Sequence, residues 1–168
     1  MRESVERELY ASVTGPARSF IVAGVVNEPV VFGHEAPVPA RKQASQWVVR
    51  WMRARSKAAW TKDCSYLSQS YKRYVVKDAH FASNGNAKNC PQALAYFGTE
   101  ASGNLVNTTT GPIDSLRIEG KRGYALYHGR NGIDWSVTMA KEKGKWKVAQ
   151  PLPEALKSGS KGTPASEG

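Results

Sequence analysis

The sequence predicts an α+β fold, with helices in its first half and a meander of antiparallel strands in its second. Between Arg41 and Gly98 apolar residues recur at helical spacing. From Ile113 to Val148 the period switches to two, between glycine-containing turns. The third observation is a pair of cysteines, Cys64 and Cys90, twenty-six positions apart among the helices. Each sits at a polar-flanked helix end, and an even count fits one disulfide; two buried thiols are the alternative.

Taken in order, residues 1–40 are an N-terminal extension that ends in the stiff connector Ala36-Pro37-Val38-Pro39. Ser4 to Val13 suits a short helix. Phe20 to Val26 and Pro29 to Phe32 are β-prone but interrupted by prolines. This segment is expected to lie along the domain or add an edge strand, with disorder as the alternative. The domain itself is assigned to residues 41–156.

Its first helix carries Ala44, Trp47, Val48, Trp51 and Met52 as one apolar stripe, with Arg50, Arg53 and Lys57 on another face. A second helix is expected from Ala58 to Gln69, with Trp60, Cys64, Leu67 and Tyr71 inward. Tyr71 to Phe81 is mixed in character, and Ser83-Asn84-Gly85-Asn86 is a loop. A third helix begins near Pro91, carries Leu94 and Phe97 inward and stops at Gly98. Strands follow at Ile113 to Glu119, Tyr124 to His128, Asp134 to Lys141 and Trp146 to Val148, one face buried. Residues 157–168, rich in Ser, Gly, Lys and Pro, are expected to be disordered.

Charge narrows the partners. The chain carries a net +10, yet residues 1–40 sum to −2, which leaves +12 on the rest. Arg41 to Lys77 alone holds ten basic residues against Asp63. Such a surface favours nucleic acid, acidic lipid, an anionic cell-wall polymer or an acidic protein; a solvated, solubilising face is the plain alternative. The apolar run Phe20 to Val26 is too short for a secretory core or a membrane span, so no signal peptide or transmembrane segment is read in the sequence.

Three helices followed by an antiparallel sheet that closes on Lys143-Gly144-Lys145-Trp146-Lys147-Val148 resemble the NTF2-like (cystatin-like, SnoaL-like) superfamily. The resemblance spans about residues 41–153 and implies a cone, with the helices packed on a curved sheet. A cysteine near the second helix and one at the third resemble exported and lipoprotein-type bacterial members. In such a cone Trp47, Trp51, Trp60, Phe97, Trp135, Met139 and Trp146 would line the pocket, and the sheet would pair into a homodimer. The superfamily hosts enzymes and binding modules alike.

An NTF2-like isomerase or cyclase acting on a small hydrophobic substrate would need ionisable groups converging in the cone. Strand alternation turns Trp135, Val137 and Met139 inward and Asp134, Ser136 and Thr138 away. His128 shares a side with Tyr124 and Leu126, so the catalytic candidates reduce to His128 with Asp63, Tyr66 or Tyr96. An exposed hairpin histidine is the plainer reading of His128. His34, His80 and His128 are isolated and the cysteines lack a C-x-x-C partner, so no metal site is expected; no phosphate or dinucleotide loop suggests a cofactor. Tyr66, Tyr71 and Tyr74 near Lys72 and Arg73 admit single-stranded nucleic-acid binding, which a disulfide argues against. The favoured expectation is a non-enzymatic, exported envelope module. It would present a basic face of Arg50, Arg53, Lys57, Lys72 and Arg73 to an anionic envelope polymer or acidic protein.

Overall fold

The computed structural model describes residues 20, 27–98, 111–129 and 132–157. The expected helix at Ser4 to Val13, the run Phe20 to Val26 beyond Phe20, and the tail after Lys157 lie outside them. The fold is α+β, with helices packed on an open antiparallel sheet of five strands in the order β1-β2-β3-β4-β5, and a sixth strand, β6, paired with β4.

Pro29 to Phe32 is not extended: Glu28–Val31 forms a short helix, α1. Pro29 stands in its first turn, where the missing N–H costs nothing and the fixed φ favours the helix. After Gly33, His34–Glu35 forms β1, an edge strand antiparallel to β2 (Ser115–Glu119). The Glu35 carboxylate accepts from the Ser115 hydroxyl and the Leu116 N–H, and lies 3.6 Å from Arg41. Residues before Arg41 therefore help build the domain.

Helix α2 spans Val38–Ser56. It takes the connector's Pro39 into its first turn, again at a position whose N–H has no helical partner. Ala44, Val48, Trp51 and Met52 are buried as the stripe requires, and Arg50, Arg53 and Lys57 are exposed.

The expected second helix splits. Helix α3 covers Trp60–Ser65, the chain leaves helical geometry after Tyr66, and helix α4 runs Gln69–Ala82. The break has a partner. Val148 donates to the Tyr66 carbonyl at 2.9 Å and Ser68 donates to the Val148 carbonyl at 2.7 Å, a parallel bridge onto strand β5 (Lys145–Val148). Ser68 then caps α4, its hydroxyl accepting from Tyr71 N–H at 3.2 Å. The stretch Tyr71 to Phe81 is thus wholly helical, with Tyr71, Val75 and Ala79 at i, i+4, i+8 toward the core.

Helix α5, Cys90–Gly98, starts behind Asn89, whose side chain accepts from Gln92 N–H at 3.0 Å. Leu94 is buried. Phe97 stays 43% exposed, edge-on to Tyr96, while the Trp60 indole packs on the last turn at Gly98, where a Cβ would overlap that ring. Cys64 and Cys90 form a disulfide, their Cα atoms 6.1 Å apart, which ties α3 to α5.

Strands β2, β3 (Arg122–His128), β4 (Asp134–Glu142) and β5 form the expected meander. Leu116, Ala125, Tyr127, Val137, Met139, Trp146 and Val148 face the helices and join Val48, Trp51 and Met52 in one core. The opposite face is also covered over β3. Phe20, Tyr124 and Leu126 form a second cluster with Val30, Phe32 and Leu156, and β6 (Glu154–Ala155) adds to β4 beside it. Period-two alternation marks only which residues share a side; it does not say that α1 and the chain after β5 fold over the other one.

The β5 edge is closed on both sides of its ladder. Gln43 of α2 accepts from Trp146 N–H at 2.6 Å and donates to the Trp146 carbonyl at 2.9 Å, next to the Tyr66 to Ser68 bridge. A long helix side chain here takes the place of a neighbouring strand.

Candidate functional site

The basic stretch divides into cations that the fold buries and cations that it presents. Arg41 and Arg55 are buried, at 5% and 3% exposure, and meet Glu35 and Asp63. Arg55 grips the Asp63 carboxylate with two nitrogens and donates a third hydrogen bond to the Pro151 carbonyl at 2.8 Å. This joins the end of α2 to α3 and to the chain after β5. Burial pushes the Asp63 carboxyl up from the ordinary carboxylate range, against the pull of Arg55 and of the Trp51 indole.

The cations left outward are Arg50, Arg53 and Lys57 on α2, Lys62 on α3, and Arg73 and Lys77 on α4, with Lys42 and Lys72 half-buried. Lys72, Arg73, Val76, Lys77 and His80 line a surface groove of about 390 Å³ along α4. Burial lowers the Lys72 ammonium, and the positive charge of Lys147 on β5 lowers it further. The β4–β5 hairpin sits at the start of α4, where the Glu142 carboxylate accepts from Gln69 N–H at 2.7 and 3.1 Å, an anion at a helix N-terminus. His80 is fixed by a 3.0 Å hydrogen bond between Nδ1 and the Ala87 carbonyl. Lys77, His80 and Lys147 were missed as members of this face. The i, i+4 pairs Arg73/Lys77 and Val76/His80 are visible in the sequence once α4 is known to be one helix.

The acid–base candidates do not assemble. Asp63 is fully buried against Arg55, and Tyr66 is buried with its ring 5.5 Å from that of Trp47. Tyr96 is exposed and donates to the Ala82 carbonyl at 3.0 Å. His128 lies on the far face of the sheet, paired through Nδ1 with Asp134 directly across the ladder and stacked on Phe20 at 4.3 Å. Its backbone N–H donates to Asp114. The residues expected around a cone pocket are packed instead: Trp51, Met139 and Trp146 are fully buried, and Trp47, Trp60 and Trp135 pack against the same core at its margins. The Tyr127 hydroxyl reaches Met52 Sδ at 3.7 Å between sheet and helix.

Among the described residues no group of three or more His, Cys, Asp or Glu is placed to hold a metal ion, and no helix is long and apolar enough to cross a membrane. No protein family, curated protein or solved structure matches the chain.

Proposed function

We propose that the protein is a non-enzymatic binding or assembly module, an NTF2-like cone exported to the bacterial envelope, which meets an anionic partner through its helical layer. One observation carries the reading. Two acids close to the basic stretch, Glu35 and Asp63, are spent on the buried Arg41 and Arg55, while Arg50, Arg53, Lys57, Arg73 and Lys77 remain exposed. Exposed cations that outnumber the acids near them, Asp78 and Glu142, attract polyanions and draw them in at long range. Export is supported by the Cys64–Cys90 disulfide, which persists in an oxidising compartment. The packed aromatic interior, with its ionisable candidates dispersed, favours a module over an isomerase or cyclase.

The test is binding to an immobilised polyanion across a salt series. The variant R50E/R53E/K57E is expected to bind more weakly and with a shallower salt dependence. A charge-reversed protein with the affinity and salt slope of the parent would refute the reading.

A further inference from the structure

The groove on α4 does not end in charge. Arg73, Tyr74, Lys77, His80 and Phe81 fall within roughly 120° of the helix circumference at 3.6 residues per turn, opposite the buried Val75 and Ala79. Tyr74 is 64% and Phe81 87% exposed, and Tyr96 and Phe97 on α5 are 49% and 43% exposed. The Tyr96 hydroxyl bonds the carbonyl of Ala82, the residue after Phe81, so the rings of α5 stand at the end of α4 that carries Phe81. Two helices therefore present aromatic rings next to cations, with Asp78 the single acid of α4.

We propose that this face of α4 and α5 docks on an anionic lipid surface, cations on the headgroups and rings in the interfacial layer. The proposal rests on the anionic-partner reading above and names the partner's class. A soluble polyanion without rings, such as polyphosphate, satisfies Arg73, Lys77 and Lys72 but offers nothing to Phe81, a ring with no polar tip that is 87% exposed. A bilayer interface accepts aromatic side chains wherever they land, without a shaped counter-pocket, and anionic headgroups attract the adjacent cations. The face is also held as one piece. The disulfide fixes α5 to α3, and the His80–Ala87 bond pins the loop between α4 and α5. With no helix suited to span the bilayer among the described residues, the contact is adsorption to its surface.

The experiment is co-sedimentation of the full chain with vesicles of phosphatidylcholine alone, or of phosphatidylcholine and phosphatidylglycerol in equal parts, with soluble polyphosphate binding measured alongside. Binding to the anionic vesicles only is expected. The variant R73Q/K77Q should lose about thirtyfold in vesicle partitioning, at about fivefold per cation. The variant F81S/F97S removes two exposed rings that make no hydrogen bond in the fold. It should bind vesicles several-fold more weakly and polyphosphate as the parent does. Polyphosphate binding without vesicle binding, or vesicle binding indifferent to F81S/F97S, overturns the lipid inference while leaving the anionic-partner reading intact. Failure to bind either anion overturns both.

Discussion

Asp63→Asn places an unanswered charge in the core. The Asp63 side chain is 0% and that of Arg55 4% exposed, so the guanidinium left behind has no route to water without local unfolding. Asparagine keeps the volume and can accept a hydrogen bond, but it carries no charge to set against Arg55. Removing one partner of such a pair costs about 3–5 kcal/mol, a large part of the ~5–15 kcal/mol that holds a domain together. In urea, at about 1–3 kcal/mol per molar, the unfolding midpoint should fall by roughly 2 M. Arg55→Met errs the other way, because the stranded acid can take up a proton. Burial already raises the Asp63 carboxyl, and Arg55 is the main influence pulling it down. A raised folded-state value means that the stabilisation is complete below the unfolded carboxylate range, about 3.9, and is lost as pH climbs through the folded value. Arg55→Met should therefore be most stable in acid and decline toward neutrality by up to about 1.4 kcal/mol per unit, while Asp63→Asn lacks that slope. Arg55→Met with Asp63→Leu should recover much of either loss. Urea titrations of all three variants across pH decide the matter. An Asp63→Asn penalty below about 1 kcal/mol, or a pH-independent Arg55→Met, would mean that water reaches the pair.

Reducing the disulfide, or replacing both cysteines by serine, reopens a loop of 26 residues. Unfolding with and without reductant should differ by about 3–4 kcal/mol on chain-entropy grounds. Burial pushes the Tyr71 phenol up from 10.0 to about 12. A late phenolate should thus appear in an alkaline absorbance titration, and Tyr71→Phe should remove its share; the stability tied to that proton is full below pH 10 and lost on the way to about 12. Gln43→Ala strips the closure of the β5 edge, and losing two hydrogen bonds at about 1 kcal/mol each should speed amide exchange at Trp146 well beyond that at Met139 in the middle of the sheet.

Much of this architecture was legible in the residues, for definite reasons. The α2 stripe and the meander are strong periodic signals bounded by Gly and Pro turns, and the inward set Trp135, Val137, Met139 follows from alternation alone. What escaped depends on contacts distant in sequence. Helix α3 ends because Tyr66 to Ser68 finds a partner in Val148, some eighty residues on. The inward stripe of α4 is built from Tyr71, Val75 and Ala79, too small and too interleaved with Lys and Arg to stand out. For the candidate site, Arg50, Arg53 and Lys57 were readable as outward. That Arg55, two positions from Arg53, belongs to the core could not be read without knowing where Asp63 comes to rest. His128 illustrates the opposite limit. Alternation groups it with Tyr124 and Leu126, but which side of the sheet the helices choose is not written in that strand.

The Asn27 amide and the Lys157 main chain hold each other through two hydrogen bonds of 3.0 and 2.8 Å, on the side of the sheet covered by α1 and Leu156. The described fold is thereby a nearly closed circuit. A short bridge from Lys157 to Asn27 would make it a ring, and new termini opened in the loop at residues 83–86 should leave the circuit intact. Attachment at the Asn27–Lys157 junction, to a surface or to another protein, grips the domain from behind. The helical layer is then turned toward whatever lies opposite.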